Sequence, residues 1–379
     1  MSVADKIKTK CCGCNACAEI CPKHCITMIK DYKGFYYPKI NKAQCIECNL
    51  CKKICPFEPN NINLRTPQIA YAAWSKNPKI HKSSASGGIG YELSAYILKN
   101  KGIVYGCASI GLNIKHIHIN KLEDLYQLQG SKYIQSDIRG LLSEIKTNLK
   151  KNVPILFIGT PCQIAAVKNY IRYIPDNLYL IDLICHGVPS HKMFMSHIKP
   201  ILKNRNIEKV SFRKGNEYIL SLSGKDINYN IPMWKNYFLR SFIQGIICRD
   251  SCYFCPFATS SRIGDITIGD FWGLNNIEKE INLNNGVSLV LPCTEKGTYL
   301  LNSIKNNINM FERPISEAIK GNSQLQRPPV QNTKSRHFSL LFYFTSFNTA
   351  IAFIDSELKI KHRFKSLVEK IMTPLKLKK

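Results

Sequence analysis

A chain of 379 residues is too long for one small fold and long enough for two or three domains. With 45% hydrophobic and 21% charged residues it reads as globular, which excludes a disordered chain. The net charge of +27 resembles a nucleic-acid footprint, but the lysines spread along the whole chain among Asn and Ile; no nucleic-acid partner is expected, and the surplus favours an anionic protein or a phosphorylated cofactor.

Met1 to Lys10 is polar and unlike a signal peptide, so a cytoplasmic protein is expected. Ten of the 17 cysteines fall before residue 56, a pattern of metal chemistry in a reducing compartment. Cys11-x2-Cys14-x2-Cys17-x3-Cys21-Pro22 recurs as Cys45-x2-Cys48-x2-Cys51-x3-Cys55-Pro56. This is the spacing of bacterial ferredoxins, in which three thiolates of one tight loop reach one 4Fe–4S cube and the fourth reaches the other. Two clusters are expected: one on Cys11, Cys14, Cys17 and Cys55, the second on Cys45, Cys48, Cys51 and Cys21. Zinc is the rival reading, but it favours ligands in two pairs over a run of four closed by proline. Cys12 and Cys25 lie outside the pattern and are read as spare or packed thiols. Ile26 to Ile40, with Asp31-Tyr32-Lys33-Gly34 between β-formers, predicts a hairpin.

Glu58 to Gln68 reads as a linker. Beyond it, extended and helical segments alternate. Ala70 to Trp74 is extended, Ser83-Ser84-Ala85-Ser86-Gly87-Gly88 leads into a helix over Tyr91 to Lys99, and Ile103 to Cys107 and Ile114 to Ile119 are strand-like. A helix over Asp137 to Leu149 and strands over Val153 to Ile158 and Leu178 to Ile184 complete an α/β pattern. Ligands of such sheets gather at strand ends. After Ile158 comes Gly159-Thr160-Pro161-Cys162-Gln163, where a helix start offers N–H groups to an anion or is simply capped by Thr160. Asp182 to Ser190 holds a Cys185–His186 pair that suits a nucleophile and base, a metal site or a loop beside a cofactor. No Ser-His-Asp triad or Walker loop is present.

Cys248-x3-Cys252-x2-Cys255-Pro256 forms a third group, able to hold three corners of another 4Fe–4S cube. Cys162 or Cys185 would supply the fourth ligand, with Cys162 preferred; a structural zinc site stays open. Cys107 and Cys293 are expected in the core. Ile263 to Trp272 reads as a strand in which Asp270 contacts a cofactor or caps a turn. Phe338 to Ile354 is interrupted by polar residues and falls short of the ~20 apolar residues of a spanning helix. The basic Lys359 to Lys379 has amphipathic spacing, suiting a packing helix or a weak membrane-surface or partner contact.

The two repeats together with SSASGG (83–88), GSKYIQSD (130–137), GTPCQIAAV (159–167), DLICHGVPS (182–190), CRDSCYFCPF (248–257) and RIGDITIGDFWG (262–273) resemble the beta subunit of coenzyme F-420 hydrogenase/dehydrogenase over residues 1 to about 300. The resemblance implies FAD beside an iron–sulfur cluster. It assigns flavin contacts to Ser86, Gly87, Gly88, Lys132, Tyr133, Thr160 and Gln163, and the third cluster to Cys248, Cys252 and Cys255 with Cys162; His186 and Asp270 join the expected cofactor contacts. The expected organisation is an α+β ferredoxin-like two-cluster module (1–60), a linker and first strand (61–80), a larger α/β flavin and iron–sulfur domain (81–310) and a helical basic C-terminal region (311–379). The expected function is an iron–sulfur flavoprotein oxidoreductase. It exchanges electrons with a ferredoxin-like or other redox protein and with a small-molecule hydride donor or acceptor, either a deazaflavin or a polysaccharide-pathway intermediate. The alternative is a non-catalytic electron-transfer subunit that feeds a separate enzyme.

Overall fold

The structure, a computed structural model, describes residues 8–202, 205–274 and 285–356. Strands β1 (Ile26–Lys30) and β2 (Tyr36–Ile40) form the expected hairpin, with Ile26 opposite Ile40. It is flanked by two one-turn helices, α1 (Ala16–Glu19) and α2 (Leu50–Lys53). The two cysteine loops repeat their backbone as well as their spacing. Gly13 and Glu47 are left-handed at φ 69° and 51°, and Asn15 and Asn49 at 65° and 58°. Asn tolerates this region better than most residues, so the chain can curl tightly round each group of thiols.

The body is a mixed eight-stranded sheet in the order β13-β3-β12-β11-β7-β6-β4-β5. Its strands are β3 (Ala70–Ser75), β4 (Ile103–Ile110), β5 (Asn113–Ile119), β6 (Ile155–Gly159), β7 (Leu178–Leu183), β11 (Ile266–Asp270), β12 (Ser288–Pro292) and β13 (Ile308–Arg313). Strands β4, β6, β7 and β11 run parallel, and the flanking pairs are antiparallel. The central strands read as continuous apolar runs because helices cover them: Ile155, Leu156 and Phe157 of β6 are fully buried. Helices α3 (Pro78–Ser83), α4 (Ile89–Lys99), α5 (Leu141–Leu149), α6 (Pro161–Ile171), α7 (His191–Leu202), α8 (Tyr237–Ile243) and α9 (Glu295–Ser303) connect and pack the strands.

A separate three-stranded antiparallel sheet, β8 (Lys209–Lys214), β9 (Glu217–Gly224) and β10 (Ile227–Pro232), packs with α7 and α8 in one apolar cluster with Phe194, Phe212 and Phe238 at its heart. Helix α10 (Ile315–Gly321), α11 (Thr333–Phe344) and a helix over 347–356 close the described chain. The expected helical segment from Phe338 is thus split at Thr345 and Ser346, and no helix among the described residues is long and apolar enough to cross a membrane. The amphipathic stretch Lys359 to Lys379 lies outside the described residues.

Candidate functional site

The inner cysteine set is assembled from both repeats. Burial raises the Cys17 thiol, as do the neighbouring Cys11, Cys55 and Cys51. A hydrogen bond with Cys12 lowers Cys14, but burial and the adjacent Cys17 and Cys55 outweigh it and leave this thiol raised. Cys55 thus lies near Cys14 and Cys17, and Cys51 lies near Cys17 as well. Cys17, Cys21 and Cys25 are buried together, with Cys45, Cys51 and Cys55 packed against them, and Cys48 is exposed.

The third set gathers on the body. Strands β6 and β7 are neighbours, so their carboxyl ends bring Cys162, at the start of α6, beside Cys185. The 248–255 loop lies over them. Burial and Cys185 push Cys248 up to about 12; burial and Cys162 do the same to Cys185 and Cys255. Cys252 is raised further by burial and the surrounding Cys248, Cys185, Cys255 and Cys162. Cys162 and Cys185 are therefore both present, five thiols in all. Crowded and buried, they ionise only if positive charge is supplied among them, as iron does. Thiols spread around a volume suit a cube that takes one thiolate per iron. Two local features keep the volume open: Gly187 has φ 102°, a side chain there would come within 2.7 Å of Cys248 Sγ, and its N–H donates to Cys185 Sγ at 3.4 Å.

Arg249 joins the module to the body. Only 1% exposed, it donates from Nε to Cys11 O and from Nη2 to Tyr36 O, both at 2.7 Å, and from Nη1 to Gln135 Oε1 at 3.1 Å. Its guanidinium lies 4.3 Å from the Tyr37 ring centroid and presses on Gly13. Beside it, the buried Cys12 thiol hydrogen-bonds Cys14 and Cys162, linking the inner and third sets.

A cavity of about 420 Å³ opens over the carboxyl ends of β4, β6, β7 and β11, the expected place in such a sheet. Cys162, Cys185, Cys252 and Cys255 line it, as do Ser86, Gly88, Lys132, Tyr133, Thr160, Gln163, His186 and Asp270. Several of these polar groups are already engaged. Gln163 Oε1 accepts from the Thr160 N–H at 3.0 Å, and its Nε2 donates to Ser136 Oγ at 2.9 Å. His186 donates to Ile243 O at 2.9 Å and accepts from Gln324 at 2.6 Å. Asp270 pairs with the buried Arg213 at 2.9 Å. Lys132 donates to Leu128 O and Gln129 O at 2.9 and 2.7 Å, and burial lowers it to about 8. Ser86 Oγ and His116 Nδ1 are buried without a hydrogen-bond partner. Gly87 does not line the cavity: a side chain there would meet Ala73 O at 2.1 Å, so it serves close packing on β3.

Residues 153–318 match the family model for the C-terminal part of the coenzyme F420 hydrogenase/dehydrogenase beta subunit. Residues 10–58 match the 4Fe-4S dicluster domain. No curated protein matches the chain. Among solved structures it is similar to a chain of the F420-reducing [NiFe] hydrogenase complex from Methanosarcina barkeri, at 18% identity and a TM-score of 0.47, over 73% of this chain and 94% of that one.

Several neighbours of the cysteines escaped sequence reasoning. Arg249 stood inside the CRDSCYFCPF run but carried no signal of burial. Cys107 packs against the apolar core as expected and also lines the cavity near Lys132. His116 is stacked on Phe157 and donates to Ile158 O at 2.9 Å. Its alternating strand gave the burial but not the cavity.

Proposed function

We propose that this chain is an iron–sulfur flavoprotein oxidoreductase. Its clusters are assigned to Cys11, Cys14, Cys17 and Cys55; to Cys45, Cys48, Cys51 and Cys21; and to Cys248, Cys252 and Cys255 with Cys162 or Cys185. FAD is assigned to the cavity. When bound, the clusters supply single-electron transfer and FAD supplies two-electron exchange with an organic partner. The observation that carries this reading is a shared wall: four thiols of the third set line the same 420 Å³ cavity as the expected flavin contacts.

The chain's own residues have distinct tasks there. Cys12 and Arg249 fix the module against the body and so set how near the inner and third sets lie. Lys132, held by two carbonyls, presents a cation to an anionic group of the cofactor below about pH 8. Ser86 Oγ offers an unused hydrogen-bonding group in the cavity wall. The aromatic wall of Tyr133, stacked on Phe242 at 4.7 Å, suits a planar ring and helps exclude water. The organic partner belongs to the hydride donors and acceptors, a deazaflavin among them.

Titrating the anaerobically prepared chain with FAD, while following flavin fluorescence, tests the reading. Saturation at one FAD per chain with quenched emission is expected. Absence of binding would leave an iron–sulfur relay without a catalytic cavity.

A further inference from the structure

The two N-terminal cysteine sets differ in what surrounds them. The inner set is turned toward the body through Cys12, Cys162 and Arg249. Around the outer set, Cys48 is exposed and Ile46 is 57% exposed. A groove of about 560 Å³ is lined by His24, Cys25, Lys39, Lys42 and Gln44 among others. Its wall reaches the outer set directly, because Cys25 Sγ lies 3.4 Å from Cys21 Sγ. Charge is concentrated here as well. The exposed Lys39 and Lys42 line the groove, and no acid does.

We propose that this groove and its lysine rim form the docking port for an acidic one-electron carrier protein. The inference rests on the reading that the N-terminal thiols hold clusters, and it adds where the carrier binds and what charge it bears. An apolar side chain amid a charged rim, beside a shallow depression, is the anatomy of a small transient interface. A positive rim steers an acidic partner to a face whose wall reaches Cys21 through Cys25. The exchange served is a single electron: the carrier loses one and this chain gains one, or the reverse, and no bond or proton moves. Overall positive charge alone would attract the same carrier to any face, so the proposal turns on position.

Stopped-flow reduction of the anaerobic, cluster-loaded chain by a reduced acidic ferredoxin separates the two. Lys39→Glu/Lys42→Glu should slow the second-order rate about tenfold or more at low salt and flatten its salt dependence. Lys150→Glu/Lys151→Glu, an equal charge change on the exposed end of α5, should leave the rate within about twofold. The extent of reduction by excess dithionite, read by electron paramagnetic resonance, should match wild type in both variants. Equal slowing in the two variants, or none in either, would overturn the port. Failure of the wild-type chain to give cluster signals with dithionite would instead remove the electron-transfer reading, and the port with it.

Discussion

The dicluster module and the beta-subunit domain gather cysteines in opposite ways. In the module the thiols come from two short runs, and spacing plus four left-handed residues places them. In the body they arrive from two neighbouring strand ends and a distant loop, at 162, 185 and 248–255. The first arrangement is local and depends little on what surrounds it. The second exists only once the sheet has formed. Sequence spacing therefore identifies one kind of centre and only hints at the other.

The largest test of that contrast is removal of one thiol from each. Cys252→Ser should cost about four irons per chain and leave the module's electron paramagnetic resonance signals in place. Cys14→Ser should cost about four from the module and spare the third centre. Simultaneous loss from both regions in either variant would show that they do not assemble separately.

Arg249→Met attacks the join between the regions. It removes a buried cation and leaves Cys11 O, Tyr36 O and Gln135 Oε1 without their donor. Each lost charge-assisted bond costs about 1.5 kcal/mol or more, so a loss of about 4 kcal/mol is expected in thermal unfolding of the cluster-loaded chain. Arg249→Lys should recover only part of it, because an ammonium cannot reproduce the planar fork.

Gly187→Ala probes the body alone. A left-handed backbone and a 2.7 Å approach to Cys248 Sγ should cost about 1–3 kcal/mol and lower iron occupancy of the third centre, with the module unchanged.

The smallest effect concerns charge in the cavity. Burial lowers Lys132 to about 8, so its positive charge is present below that pH and lost above it. FAD affinity should fall as pH rises through about 8, and Lys132→Met should weaken binding at neutral pH about tenfold and abolish this pH dependence. A wild-type profile identical to that of the variant would remove the lysine from the site.

How much of this was legible follows from the same contrast. The repeats, the hairpin and strands β3 to β7 could be read because local spacing and apolar runs encode them. Helix α5 begins at Leu141 and not at the expected Asp137, since Gly140 is left-handed at φ 83°. The β8–β10 sheet went unread: between Lys209 and Pro232, Asn, Lys, Ser and Gly interleave the apolar positions and blur the alternation. The presence of both Cys162 and Cys185 in the third set depends on β6 lying next to β7, a pairing that neither segment encodes alone.

On the proposed reading, two differently built regions hold clusters, and the third set adjoins the cofactor cavity. Iron, acid-labile sulfide and flavin counted per chain after anaerobic purification test it most directly. About twelve irons, about twelve sulfides and one FAD are expected. About eight irons with no flavin would contradict it, leaving a dicluster module on a body that holds neither the third cluster nor the cofactor.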